Sequence, residues 1–404
     1  MEYLFEQEWL VTNGLGGYAS GAVSGANTRR YHGLLVAALN PPTDRWVVVA
    51  KIEERVFING MYHDLSTNQY SGIVYPNGSK YLNNFGNLPF PTWQYAMDNW
   101  KLEKNIFMVQ DSNTVLVSYK NDGKTSFFLE LHPLYENSDY HATFHENQFT
   151  DFYTEISPTH LKTYAHYGSK PVFTGWSVGE FTEARSWYKN IELRKEHEQG
   201  YDFVCDYYRI GYVKYELKPN EQLTLVFSLE EDVITSDIEK LYSKEKRKSE
   251  GSKIKKEQGF YGNLLRSGKQ FLVKRNSTDS MSIIAGYHWF GDWGRDTMIS
   301  MRGLTIATGN KAVSKSILST FYRSIDQGLI PNKFPDQSQD YIDYNTIDAT
   351  LWLFIASYEY VLKFNDLPFV KKHINILKGL LDGHISGTRY NIHVTEEGFL
   401  FGGQ

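Results

Sequence analysis

The chain is nearly free of cysteine. Cys205 is the only one in 404 residues, so no intrachain disulfide can form and nothing demands an oxidising compartment. It sits in a tyrosine-rich stretch and reads as core, not as a nucleophile. A run of about 18 apolar residues, long enough to span a bilayer, is also missing. The first residues, Met1-Glu2-Tyr3-Leu4-Phe5-Glu6, lack the basic start and apolar stretch of a secretory signal. The expectation is a soluble, cytoplasmic chain with no membrane partner. Basic blocks are scarce. Net charge is −5, and the richest cationic run, Lys244 to Lys256, alternates Lys with Glu and Ser like a solvated helix or linker. Nucleic acid is therefore not expected as a partner. No His-Glu-x-x-His zinc motif, Gly-x-Ser-x-Gly elbow or EF-hand loop occurs. The histidines are scattered, and neither a metal nor another cofactor is expected.

What is present is ordinary in bulk and unusual in its rings. Hydrophobic residues make up 41% and charged residues 22%, which argues against disorder. The length favours two domains over one core. Aromatics reach 15%, with 29 Tyr, 24 Phe and 9 Trp. Flat apolar faces with a polar edge suit sugar rings, although Tyr and Phe also simply fill β-strands.

Residues 1–240 read as β. Short β-branched runs, such as Trp46-Val47-Val48-Val49 and Leu223-Thr224-Leu225-Val226-Phe227, alternate with turn signals at Asn59-Gly60, Asn77-Gly78, Asn121-Asp122-Gly123 and Pro219-Asn220. Many short strands with frequent turns predict an antiparallel β-sandwich. Residues 241–257 predict a helical linker. From 258 to 404 the period is helical. The expected helices are one carrying Phe260, Leu264 and Leu265 with Phe271 and Leu272 on the same face after a turn, then Thr297 to Thr308, Ala312 to Ile325, Thr346 to Phe364 and Phe369 to Leu381. Such elements stack as αα-hairpins.

Two clusters could carry chemistry. In Trp289-Phe290-Gly291-Asp292-Trp293-Gly294-Arg295-Asp296, two Trp, two Asp and one Arg precede a helix. Carboxylate and guanidinium groups bond sugar hydroxyls directionally, indoles stack on rings, and glycines let backbone approach a ligand. Helix capping and a local ion pair would also explain Arg295 and Asp296. The second cluster joins Asn332 and Asp336 to Tyr344, Asp348 and Trp352. Asp348 and Trp352 are four apart and share a helix face, while the helix dipole alone could account for the acid. Two helices opening on acids beside aromatics would set those acids at one end of a helical array, where a pocket forms. The candidate substrate-binding residues are thus Trp289, Asp292, Trp293, Arg295, Asp296, Asn332, Asp336, Tyr344, Asp348 and Trp352. A glycine-rich stretch at Asn13 to Gly21 superficially resembles a dinucleotide loop, but no βαβ order follows it.

At these residues the sequence resembles the glycogen debranching enzymes of bacterial and archaeal type. Glu8 to Tyr18 with Asn27 to Leu35 looks like their N-terminal domain. Phe290 to Gly303, Ile330 to Asp336 and Tyr344 to Trp352 look like the start of their amylo-α-1,6-glucosidase domain. The resemblance implies a multidomain β + α protein, an N-terminal antiparallel β-sandwich followed by the first part of an (α/α)6 barrel. It implies hydrolysis of α-1,6 branch linkages in glycogen or another branched α-glucan by an inverting pair of carboxylates. Arg295-Asp296 matches the pair with which related glucoamylases grip the non-reducing glucose, and Asp348 matches the acid opening a later barrel helix. The family continues past a stretch like Phe401-Gly402-Gly403 into a Thr-Trp-Met-Asp segment that supplies the general acid, with the base still later. Neither is present, so the catalytic residues are unknown, acid and base are expected beyond Gln404, and the chain alone is expected to be inactive. A non-catalytic glucan-binding protein, or another (α/α)6 glycosidase or glycoside phosphorylase, are the alternatives.

Overall fold

The computed structural model describes residues 3–97, 99–251, 259–335 and 341–402. The chain forms two compact units, Met1–Ala38 with Arg45–Lys255, and Leu39–Asp44 with Lys256–Gln404.

The first unit contains two eight-stranded sheets. One runs in spatial order Glu8–Thr12, Tyr18–Ala22, Gly33–Asn40, Thr43–Ile58, Phe127–Asp139, Val204–Leu217 and Glu180–Glu192, with Met61–Asp64 beside Thr43–Ile58. The other runs Tyr153–Ile156, His160–Tyr164, Val172–Trp176, Gln222–Ser228, Thr114–Asn121, Trp100–Met108, Thr92–Met97 and Leu82–Gly86. Pairing is antiparallel, as at Trp9 opposite Gly21 and Phe107 opposite Leu116. The Asn59-Gly60 turn joins two of these strands with both residues at positive φ, 53° and 79°, which a tight hairpin requires and which Asn and Gly tolerate. The glycine-rich Asn13 to Gly17 stretch closes another hairpin, where the Asn13 side chain accepts from Leu15 N at 2.9 Å.

The sheets face each other as a sandwich. Trp9 meets Trp93 edge to face with centroids 5.2 Å apart, Trp93 Nε1 donates to Val23 O at 3.0 Å, and Tyr119 Oη donates to Glu54 Oε1 at 2.8 Å. Cys205 is buried in this unit, and burial pushes its thiol pKa well up, so it is core and not a reactive thiol. The expected linker behaves differently from a solvated helix. The helix is Ile238–Gly251, and its Ile238 and Tyr242 pack against Phe107, Phe173 and Val226 of the second sheet. Residues 252–257 of that expected linker lie outside the described residues.

The second unit is mainly helical, with Phe260–Lys269, Gly294–Met301, Lys311–Arg323, Ala349–Phe364 and Ile374–Ser386 as its longer α-helices. Three expectations need correction. Phe271 and Leu272 do not continue a helical face, because Leu272–Arg275 is a strand paired with Ser280–Ile283. The turn between them, Asn276–Thr278, ends with Asp279 in the left-handed region at φ 45°, a conformation Asp tolerates. The second helix starts at Gly294, three residues before the expected Thr297, and widens into a π turn over Arg302–Ala307. The last expected helix is two, Leu367–Lys371 with Pro368 in its first turn, then Ile374–Ser386.

Lys311–Arg323 ends two residues before the expected Ile325, and Ala349–Phe364 starts three residues after the expected Thr346. Asn310 caps Lys311–Arg323 by accepting from Val313 N at 3.3 Å, and Asn365 ends Ala349–Phe364 at positive φ. Met298, Met301, Ile317, Phe321, Leu353 and Tyr360 form the core of this unit. Ala349–Phe364 is apolar on both sides. It buries Leu353, Ala356 and Tyr360, while Leu351, Ile355 and Tyr358 are 43%, 43% and 64% exposed. Among the described residues no helix is long and apolar enough to cross a membrane.

Candidate functional site

In the second unit the loop before Gly294–Met301, the loop after Lys311–Arg323 and the start of Ala349–Phe364 enclose a pocket of about 450 Å³. Trp293, Arg295, Asp296, Asn332 and Asp348 line it. The sequence clusters around residues 290 and 345 therefore meet, with Arg295 and Asp296 in the first turn of one helix and Asp348 at the N-cap of another.

Asp348 does not cap its own helix through its side chain. Its Oδ2 instead accepts from Arg295 Nε at 3.0 Å and from Trp352 Nε1 at 3.3 Å. The helical spacing of Asp348 and Trp352 thus serves to hold the carboxylate, and helix-dipole stabilisation is not its only partner. The Arg302 guanidinium lies over the Trp352 ring, 5.5 Å from its centroid, and pairs with Glu359 at 2.5 Å. Asp296 lines the same pocket with its side chain exposed.

The pocket wall is stitched by backbone. Gly294 N donates to Asn332 O at 2.8 Å, and Trp293 bridges Lys333. A Cβ on Gly294 would stand 1.9 Å from Pro331 O. This glycine therefore admits a neighbouring segment of its own chain, where the sequence suggested close approach to a ligand. Asn332 Nδ2 donates to Asp343 Oδ2 at 3.0 Å, and Asn345 N donates to Asp343 Oδ1 at 2.9 Å. Asp343 escaped the sequence reading. Its signal is the Asp-x-Asn spacing, in which an acid turns back on the amide two residues later. Ile347 and Ile392 complete the apolar part of the lining, and Ile392, from far along the chain, had no local signal.

The structure separates the remaining candidates from the pocket. Asp292 is 1% exposed. It takes Arg275 Nε at 2.7 Å and Nη2 at 2.5 Å and accepts from Ser282 Oγ at 2.7 Å. Both its oxygens are committed, so Asp292 anchors the loop that presents Trp293 and is not free to meet a sugar. Tyr344 is buried and donates to Ser324 O at 2.7 Å, and it packs with Leu329 behind Ile392 of the lining. Trp289 lies edge-on to His288 at 5.7 Å and does not line the pocket. Trp352 acts through Asp348. Asp336 lies outside the described residues.

A polar pocket of this size, with one guanidinium, two carboxylates, two amides and an indole at its wall, can hydrogen-bond hydroxyls and stack on a ring. The fold is shared with a bacterial glucoamylase solved in complex with acarbose, at a TM-score of 0.51 and 13% identity over 94% of this chain and 56% of that one. The chain thus spans little more than half the length of that relative. A family GH92 α-mannosidase from Bacteroides thetaiotaomicron covers 96% of this chain and 62% of its own at 9% identity and TM-score 0.37. A GalM/aldose epimerase homologue from C. elegans covers 55% and 98% at 10% identity and TM-score 0.30. The shared fold is a β-rich N-terminal part with a helical part that follows it. Residues 7–224 match the family model for the glycogen debranching enzyme N terminal, and residues 266–404 match that for amylo-alpha-1,6-glucosidase. The chain belongs to the glycogen debranching enzyme family.

Proposed function

We propose that this chain grips the non-reducing glucosyl end at an α-1,6 branch point of glycogen or a similar α-glucan, within an inverting amylo-α-1,6-glucosidase. The observation that carries this reading is the meeting of Arg295 with Asp348 at 3.0 Å in the pocket that Asp296 and Trp293 also line. Arg295 offers N–H donors in a fixed fork, the two aspartates accept from hydroxyls, and the Trp293 indole supplies an apolar face. Together these fix one sugar ring in position and orientation.

Hydrolysis with inversion needs more than that grip. One carboxylic acid must protonate the leaving oxygen and a second carboxylate must activate water on the opposite face, the two roughly 6.5–9.5 Å apart. In our reading neither belongs to these 404 residues, and the helices here are part of an (α/α)6 barrel. Within such a barrel the exposed side chains Leu351, Ile355 and Tyr358 would lie against a neighbouring helix. Binding contacts that are equal in substrate and transition state do not speed the chemical step, so this chain should bind without turning over.

Titration calorimetry of the 404-residue chain with a small α-1,6-branched oligosaccharide and with acarbose, beside an assay for released glucose, tests the reading. Saturable binding of which Arg295→Ala removes a component, with no glucose release, supports it. Steady glucose release would overturn the division of labour and make Asp336 and Asp348 the first suspects. Unchanged binding in Arg295→Ala would remove the pocket from the function.

A further inference from the structure

The first unit carries a cavity of its own, about 170 Å³, set in one face of the first sheet. Strand alternation turns Glu54 toward Tyr119 of the opposite sheet, so Lys51, Glu53 and Arg55 face the other way. The antiparallel neighbour sets His132 opposite Glu53. Charged groups on an outer sheet face are ordinarily solvated, yet Lys51 and Glu53 are each 7% exposed and His132 is 6% exposed. Asn68 of the strand Thr67–Tyr70 closes over them. Lys51 Nζ donates to Thr67 O at 2.9 Å and to Asn68 Oδ1 at 2.8 Å, and Asn68 Nδ2 donates to both Glu53 oxygens at 3.1 Å.

A structural ion pair accounts for Lys51 and Glu53. It leaves His132 unexplained. Its Nδ1 stands 3.4 Å from the Arg209 guanidinium, which can only donate, so the proton of the neutral ring is on Nε2. Burial, then Arg209 and Arg55, hold this histidine at a pKa of about 3, so neutral it is. Nε2 is buried with no hydrogen-bond partner among the described residues, the Glu130 carboxylate at 3.6 Å being too far. Tyr70, Tyr75 and Tyr188 also line the hollow, with Tyr75 65% exposed. An anion there would meet Glu53 and Asp64, and a cation would meet Arg55, which pairs with Asp64 at 2.8 Å. A neutral ring bearing hydroxyls, which donate and accept alike, satisfies both sets and has tyrosine faces to lie on.

We propose that this cavity binds a single neutral hexosyl unit, at a site separate from the pocket of Arg295. The choice of glucose and maltose as probes rests on the glucan reading; the hexosyl class rests on the cavity alone. Both sugars are titrated into the full chain by calorimetry and saturation-transfer NMR, in an Arg295→Ala/Asp348→Asn background that disables the first pocket. Saturable binding should survive there. It should then weaken about tenfold, the loss of one hydrogen bond to a charged group with a stacking face, on adding Tyr75→Ala and Asp64→Asn. Tyr75 is exposed and Asp64 sits in a partly exposed pair with Arg55, so neither change reaches the core, and a matching thermal melt checks this. Absence of binding in the first background overturns the proposal, as does binding indifferent to Tyr75 and Asp64. Binding indifferent to Arg295 and Asp348 but lost with Tyr75 and Asp64 would instead sink the proposed function and leave this site standing.

Discussion

Arg295 and Asp348 are 53 residues apart in sequence and 3.0 Å apart in space. Their ion pair fastens the first turn of one helix to the N-cap of another at the wall of one pocket. Both side chains are substantially exposed, 56% and 40%, so the pair contributes only about 0–1 kcal/mol to folding. Its worth lies in pointing a guanidinium and a carboxylate at the same small volume.

Asp348→Asn should therefore separate binding from stability. The melting temperature should stay within a degree of the parent, while affinity for a branched α-glucoside falls about tenfold or more with the loss of a charged acceptor. Parallel calorimetry and thermal melts decide it, and a matched loss of both would make Asp348 merely structural.

Asp292 should behave the opposite way. Asp292→Asn leaves Arg275, itself 3% exposed, as a buried charge without its partner. Breaking such a pair costs about 3–5 kcal/mol. Chemical denaturation followed by tryptophan fluorescence should show the second unit unfolding at clearly lower denaturant. A loss of sugar binding in protein that is still fully folded would contradict the anchoring role.

Gly294→Ala sets a methyl group 1.9 Å from Pro331 O, a backbone atom that cannot swing aside. We expect about 3 kcal/mol of destabilisation, the upper range for overpacking, and displacement of Asn332 from the pocket. Gly303, whose added Cβ would meet nothing within 4 Å, is the control: Gly303→Ala should leave stability the same or slightly improved.

Glu136 gives a pH signature. Burial raises its pKa to about 8, against a hydrogen bond from Ser138 Oγ that lowers it. The folded state therefore holds a proton that the unfolded chain releases from about pH 4.5 upward. That contribution to stability is complete below pH 4.5 and is lost as pH rises through about 8. Glu136→Gln should abolish this slope, so the variant gains several degrees over the parent at pH 8.5 and little at pH 5. His132, whose pKa lies below its ordinary value, works in the other direction below about pH 6.5, and the difference between parent and variant cancels it. Equal melting curves at both pH values would place Glu136 in a wetter site than its 5% exposure indicates.

What the sequence disclosed about this site was what local geometry determines. Asp348 and Trp352 are one helical turn apart, and a helix sets such residues together wherever it lies, so their contact was legible. The hairpin turn at Asn59-Gly60 was legible because two residues suffice to define it. Asp292 misled because its partner, Arg275, stands 17 residues back, across a hairpin hidden by apolar residues that fit a helical face equally well. Gly294 was singled out correctly and for the wrong neighbour, since no local pattern tells whether a ligand or Pro331 will approach. Ile392 joins the pocket only because a distant segment folds back to it.

The indole of Trp352 donates to the pocket carboxylate at 3.3 Å and lies under the Arg302 guanidinium. Indole emission shifts with the charge and hydrogen bonding around the ring, so this side chain is an optical reporter wired to the site. A ligand that draws Asp348 away from Trp352 Nε1 would change the emission of this one ring. The part of the ligand-induced spectrum that vanishes in Trp352→Phe would then follow occupancy of the pocket directly, without a label and without any need for turnover.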